Sequence, residues 1–139
     1  MNIKQTLSAL IIATASMVVS AETAVIVSAS NANATLDKAT ISKIFLGKSK
    51  SFPDGSQALP IDQNDGTAAR DAFNSNMLGK SASQLKSYWS RLIFTGKGTP
   101  PKQSGNDSDV KALVSNNPNM IGDIDSSAVD SSVKVVQKF

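Results

Sequence analysis

One short segment of the chain carries the residues best suited to chemistry. It reads Ile61-Asp62-Gln63-Asn64-Asp65-Gly66-Thr67, and Arg70 follows three residues later. Asp62 and Asp65 are close enough in sequence to act as a carboxylate pair or to bind a divalent cation, as paired acids do in hydrolases. The segment also opens a helix that runs to about Leu78, and free N–H groups at a helix start favour an anion. A structural use competes with both, because Asp is a preferred N-cap residue and Asp65 could cap this helix.

The composition excludes most catalytic classes. The chain contains no His and no Cys, which removes Ser-His-Asp and Cys-His catalysis, zinc sites built on His, thiolate metal sites and disulfides. An enzyme would depend on carboxylates, Lys or Tyr alone, and no nucleophile with a matching base accompanies Asp62 and Asp65. We therefore expect a non-catalytic protein that uses neither a cofactor nor a metal.

Residues 1–21 have the pattern of a secretory signal peptide. Lys4 precedes the mostly apolar run Leu7–Val19, and small residues occupy the positions up to Ala21, where cleavage is expected. The apolar run is shorter than the ~20 residues that a membrane-spanning helix needs. We expect the mature chain, residues 22–139, to be periplasmic or secreted and not inserted in a membrane.

The mature chain should form a single domain. No Gly/Ser-rich or Pro-rich linker divides residues 22–139, and their number fits one domain of common size. The whole chain has 14 basic and 11 acidic residues, a formal net charge of +3. No cluster of Lys or Arg recurs with aromatic side chains that could stack on bases, so we expect no nucleic-acid binding.

Strands and helices alternate along this domain. Four short apolar or β-branched runs predict strands, and the segments between them show helical spacing or capping signals. The predicted strands are Ala24–Ser28, Ala58–Asp62, Met120–Ile124 and Val133–Val136. The alternation predicts an α/β fold, with a small mixed or parallel sheet flanked by helices.

Capping residues and apolar spacing locate the helices and their buried faces. We expect large apolar side chains of the helices to pack over the sheet, namely Ile44, Phe45, Phe73, Trp89 and Leu113. The predicted caps are Asp37, Ser81 with Gln84 at capping-box spacing, and either Asp107 or Ser108.

Three residues outside the loop invite a functional interpretation. Tyr88 and Trp89 could stack on a ligand, but both lie on an apolar stripe with helical spacing, which favours core packing. Asp123 stands in an otherwise apolar predicted strand, where an Asp must face solvent, pair with a cation or lie at a strand end. Gly122, beside it, indicates a place where two backbones approach.

Four short signatures in a fixed order resemble a known family. They are Ile44–Lys48, then Asp65–Thr67 ahead of Phe73, then Tyr88-Trp89 leading to Phe94–Gly98 and Pro100-Pro101, and finally Ile121-Gly122. Together they resemble the substrate-binding proteins of phosphate ABC importers, and more closely the short phosphate-receptor-like proteins of bacterial envelopes. The resemblance implies one lobe of a type 2 periplasmic binding protein, whereas a full receptor has two lobes and a chain more than twice as long.

The resemblance also implies a site and its partners. In this family a loop after a strand carries an Arg and then Ser-Gly-Thr at a helix start. Here Asp62 stands about where the Arg belongs and Asp65 replaces the Ser, while Gly66 and Thr67 are unchanged. Arg70 could reach back to the loop, remain an ordinary surface residue, or form an ion pair with Asp71 or Asp65.

The implied function is that of a periplasmic phosphate-receptor-like substrate-binding protein. Its ligand would be phosphate or another small oxyanion, held weakly or not at all by Asp65, Gly66, Thr67 and Arg70. An ABC importer or another envelope protein would be its partner. The alternative is a cell-envelope protein-interaction module that uses a receptor-like lobe as a scaffold.

Overall fold

The computed structural model describes residues 22–139, so the predicted signal peptide lies outside the described residues. Five strands form one sheet, and helices cover both of its faces. The strands are β1 Thr23–Ser28, β2 Leu59–Asp62, β3 Lys102–Gln103, β4 Met120–Asp125 and β5 Val133–Lys138. The α-helices are α1 Lys38–Phe45, α2 Ala68–Phe73, α3 Ala82–Phe94 and α4 Asp107–Asn116. Among residues 22–139, no helix is long and apolar enough to cross a membrane.

The sheet is mixed, which is one of the two arrangements that the sequence predicted, the other being a parallel sheet. Its strand order is β3-β2-β4-β1-β5. Strand β2 runs parallel to β3 and β4, and β1 runs antiparallel to β4 and β5. The prediction of four strands was short by one, because β3 has only two residues, which pair with Ile61 and Asp62. The carboxyl ends of β2 and β4 lie side by side, which is where ligands bind in many open α/β sheets.

Alternate residues of β1 divide the core between the two faces of the sheet. Val25 and Val27 pack with α1 and α2, while Ala24 and Ile26 pack with α4. Burial of one large apolar side chain stabilises a fold by about 1.5–3 kcal/mol. The principal helix residues buried on the two faces are Ile41, Ile44, Phe45 and Phe73 on one side and Val110 and Val114 on the other.

Helix α3 forms a third, smaller cluster away from the sheet. Trp89 is only 8% exposed and packs with Leu85 and with Leu46 at the end of α1. The Tyr88 hydroxyl donates a hydrogen bond to the Leu46 carbonyl at 2.6 Å. Core packing of Trp89 is therefore confirmed, but its expected position over the sheet is wrong, because it packs within α3 and against the end of α1.

The helix caps agree with the sequence at two of three positions. Asp37 caps α1, and Ser81 with Gln84 forms a capping box on α3. The cap of α4 is Asn106, whose side chain accepts the N–H groups of Ser108 and Asp109. The prediction that Asp107 or Ser108 caps α4 is wrong. Because the cap lies one residue earlier, the Asp107 carboxylate is free for contacts with the sheet.

Gly122 lies where helix α4 comes closest to the sheet. A Cβ atom at this position would stand 2.6 Å from Cγ1 of Val110 and 3.5 Å from the carbonyl oxygen of Ile61. The predicted close approach is confirmed, although the tightest neighbour is a helix side chain and not a second backbone. Any larger residue here must push α4 outward.

Candidate functional site

The candidate loop joins the carboxyl end of β2 to the start of α2. Thr67 is the N-cap, and its Oγ1 accepts the N–H of Arg70 at 3.2 Å and donates to the Asn64 carbonyl at 3.1 Å. Gly66 has φ +85°, a conformation that favours glycine. The expectation that Asp65 caps the helix is wrong, because the chain makes one more turn at Gly66 before the helix begins.

Arg70 turns back from α2 into this loop. Its Nη1 donates to the Gln63 carbonyl at 2.7 Å and lies 3.2 Å from Oδ1 of Asp65, and its Nη2 lies 3.4 Å from Oδ2 of Asp62. Only 11% of the Arg70 side chain is exposed, so the interpretation as a surface arginine is wrong. The two other expectations, contact with the loop and pairing with Asp65, are confirmed.

The two carboxylates of the loop have different surroundings. The Asp62 side chain is 7% exposed, whereas that of Asp65 is 71% exposed. Burial raises the pKa of Asp62 to about 6, and the nearby Arg70 charge offsets only part of this effect. Near neutral pH one guanidinium therefore faces two ionised carboxylates, a balance that opposes an incoming anion.

Asp123 is the most unusual group beside the loop. It lies within β4, is 0% exposed, and neither carboxylate oxygen has a hydrogen-bond partner among residues 22–139. Burial, reinforced by the charge of Asp62, raises the pKa of Asp123 well above the ordinary value. All three expectations for this residue are wrong, because Asp123 is buried within the strand and forms no ion pair among residues 22–139. Its surroundings instead favour the neutral acid.

Gln63 is a central residue that the sequence reasoning missed. It is buried, and its Nε2 donates to Oδ1 of Asp107 at 2.6 Å and to the Asp123 carbonyl at 3.1 Å. The same Asp107 oxygen accepts the N–H of Asp125 at 3.0 Å. These bonds tie the end of β2 to β4 and to the start of α4. The sequence signal that could have revealed this role is a Gln directly after a predicted strand.

Gln103 is a second missed residue, and it holds Asp65. The Asp65 N–H donates to Oε1 of Gln103 at 3.3 Å, and Nε2 of Gln103 donates to Oδ2 of Asp65 at 3.1 Å. Gln103 of β3 thus holds Oδ2 of Asp65, whereas Arg70 faces its Oδ1. Among residues 22–139, no group of three or more acidic side chains could hold a metal ion.

No protein-family model and no curated protein matches the chain. Solved structures do. A protein of Clostridium perfringens, described as a phosphate ABC transporter substrate-binding protein and solved with bound phosphate, matches 84% of this chain with 27% identity and a TM-score of 0.67. The resemblance predicted from the sequence is thus confirmed in structure, and the chain has the fold of one lobe of such a phosphate-receptor protein.

Two further structures share the fold of this binding-protein-like lobe. An ABC-type phosphate transport receptor from Vibrio cholerae matches with 20% identity and a TM-score of 0.66, and PstS from Borrelia burgdorferi with 11% identity and a TM-score of 0.61. Each match covers 84% of this chain but only 45%, 46% and 47% of the three longer chains. The lobe therefore spans less than half the length of the solved structures that it matches.

Proposed function

We propose that this lobe is a non-catalytic, receptor-like protein of the bacterial periplasm that binds phosphate or another small oxyanion weakly. The anion would lie at Asp65, Gly66, Thr67 and Arg70. The observation that carries the proposal is the position of Arg70, a guanidinium held at the carboxyl end of β2 beside the Gly66-Thr67 turn. The shared fold with a structure that contains bound phosphate supports the ligand class.

The exposed carboxylate of Asp65 is the group that an anion must replace. Its side chain is 71% exposed, so solvent screens its pairing with Arg70, and such pairs contribute only about 0–1 kcal/mol to stability. A phosphate or sulfate oxygen could take the place of the Asp65 carboxylate and accept a charge-assisted hydrogen bond from Nη1 of Arg70. The anion would gain this bond at a small cost in lost protein contacts.

The buried carboxylate of Asp62 limits the affinity. It stays beside Arg70 when the anion arrives, and its negative charge repels the ligand whenever it is ionised. With the pKa of Asp62 at about 6, acidification neutralises this group and should strengthen binding. The lobe formed by residues 22–139 by itself also offers few walls to exclude water from the anion, which keeps its affinity low.

Titration calorimetry on residues 22–139 tests the proposal. We expect weak, saturable binding of phosphate and sulfate, and several-fold tighter binding in Asp65→Ser, which removes the competing carboxylate. Asp71→Ser is the matched control, because Asp71 is an exposed acid on α2, the helix that follows the loop, and the same charge is removed. The absence of heat at millimolar anion in all three proteins would refute the proposal. An equal gain in the two variants would show a general effect of charge and no site.

A partner protein in the envelope is the second part of the proposal. The lobe would work with an ABC importer or with another envelope protein, and the same scaffold could serve as an interaction module. The observation in favour of this role is that Leu59, Ile93 and Phe94 remain exposed, and large apolar side chains gathered on a surface often mark a protein contact.

A further inference from the structure

A groove separate from the anion loop opens between α1, β2 and α3. Its volume is about 940 Å³, and the Gly/Pro segment 96–102 forms one wall. None of Asp62, Asp65 and Arg70 lines it. Its apolar lining includes Leu59, Pro60, Trp89, Ile93, Pro101 and Met120.

The charged residues of this groove all have the same sign. Lys50, Lys97 and Lys102 line it, and no acidic residue does. All three lysines are exposed, and within residues 22–139 none of them takes part in an ion pair. A ligand with carboxylates would therefore meet three uncompensated cations.

The exposed apolar residues gather at the same place. Leu59 and Ile93, which line the groove, are 39% and 55% exposed, and Phe94, which follows Ile93 at the end of α3, is 92% exposed. Trp89 presents part of its ring to the groove although the residue is 8% exposed. An apolar concavity with a cationic rim fits a chain that carries both apolar and acidic side chains.

The open edge of β2 shows how such a chain would be held. Strand β3 pairs with β2 only at Ile61 and Asp62, so within residues 22–139 no strand pairs with Leu59 and Pro60 on that side. Pro60 has no N–H group to donate, which disfavours the addition of a further strand. Side chains in the groove, and not a ladder of backbone hydrogen bonds, would supply the contacts.

We propose that this groove binds an extended acidic segment of a partner protein, with apolar side chains in the groove and carboxylates on Lys50, Lys97 and Lys102. A protein segment fits better than a membrane surface, because a bilayer cannot follow a concave wall down to Trp89 and Met120. The inference gives the proposed interaction role a surface and a partner chemistry, and it does not depend on anion binding at Arg70.

Trp89 provides a direct readout, since it is the single Trp of the chain and lines the groove. The probe is a synthetic peptide of about ten residues, long enough to extend along the groove, in which Glu alternates with Leu and Phe. A matched peptide carries Lys in place of Glu. We expect the acidic peptide to change Trp89 fluorescence saturably, and the basic peptide to bind at least about tenfold more weakly, a difference of ~1.4 kcal/mol.

Charge-reversed variants locate the binding surface. Lys97→Glu combined with Lys102→Glu should reduce the affinity for the acidic peptide by about tenfold or more. Lys38→Glu combined with Lys86→Glu is the control, because these lysines are exposed, lie outside the groove and produce the same change in net charge. Ile93→Ser should also weaken binding, and millimolar phosphate should not release the peptide.

Several results would overturn this inference. Equal binding of both peptides, no response of Trp89, or equal effects of the groove and control variants would each do so. A dimer in sedimentation that Ile93→Ser dissociates would show that a second copy occupies the groove. Binding to phosphatidylglycerol vesicles that the groove variant abolishes, without peptide binding, would instead assign the surface to a membrane.

Discussion

Arg70 and Asp62 form a buried ion pair at the carboxyl end of β2, with Nη2 3.4 Å from Oδ2. Their side chains are 11% and 7% exposed, so water solvates neither charge well. A buried charge that loses its partner is costly, because its desolvation is then not compensated. Removal of either partner should therefore destabilise the loop, because the other charge would remain buried and unpaired.

Replacement of Arg70 should make stability strongly dependent on pH. Arg70→Gln leaves Asp62 buried without a cation, and we expect a loss of about 3–5 kcal/mol in the free energy of unfolding near pH 8. Near pH 5 the loss should be smaller, because Asp62, with a pKa of about 6, is then mostly protonated. Urea denaturation at both pH values measures the difference. Arg91→Gln, at an exposed position of α3, is the control. Equal losses at the two pH values would show that the charge of Asp62 is not the cause.

Asp123→Asn should flatten the dependence of stability on pH. The pKa of Asp123 in the fold is raised, so the folded state binds its proton more tightly than the unfolded chain does. The resulting stability is fully present below the ordinary Asp pKa and is lost as pH rises through the raised value. The Asn side chain does not titrate. The unfolding free energy of the variant should therefore fall less than that of the unmodified protein between about pH 5 and pH 9. Parallel curves for the two proteins in urea denaturation would contradict the neutral-acid interpretation.

Gly122→Ala should destabilise the contact between β4 and α4. The added Cβ would stand 2.6 Å from Cγ1 of Val110 and 3.3 Å from Cγ2 of Val114, so the helix must shift, at a cost of about 1–3 kcal/mol. Val110→Ala alone should also destabilise the protein, by leaving a cavity. The two changes together should cost less than their sum, since each relieves the defect of the other. Additive losses in thermal or urea denaturation would show that the contact is more adaptable than its geometry indicates.

The parts of the fold that depend on local sequence could be predicted. The apolar stripe and capping box of α3 follow from spacing within one helix, and the strand-loop-helix unit around Gly66 and Thr67 follows from the order of its residues. Strand β3 could not be predicted in the same way. Its two residues form a strand only because Ile61 and Asp62 lie beside them, a contact between distant parts of the chain.

The chemistry of the site was less predictable than its position. Asp65 and Thr67 are both good caps, and the choice between them depends on the turn at Gly66 and on the bond from Gln103. Asp123 illustrates the same limit, because its protonation is set by burial and by the neighbouring Asp62, and both depend on the tertiary fold. The central role of Gln63 depends on two elements far away in sequence.

The location of the anion is the central claim, and NMR chemical-shift mapping tests it most directly. Phosphate would be titrated into ¹⁵N-labelled protein of residues 22–139, with chloride at matched ionic strength as the control for screening. We predict saturable shifts confined to the amides of Gly66, Thr67 and Ala68 and the side chain of Arg70, with larger shifts at equal phosphate in Asp65→Ser. Shifts that match those in chloride, or that centre on the exposed lysines, would contradict an oxyanion site at this loop.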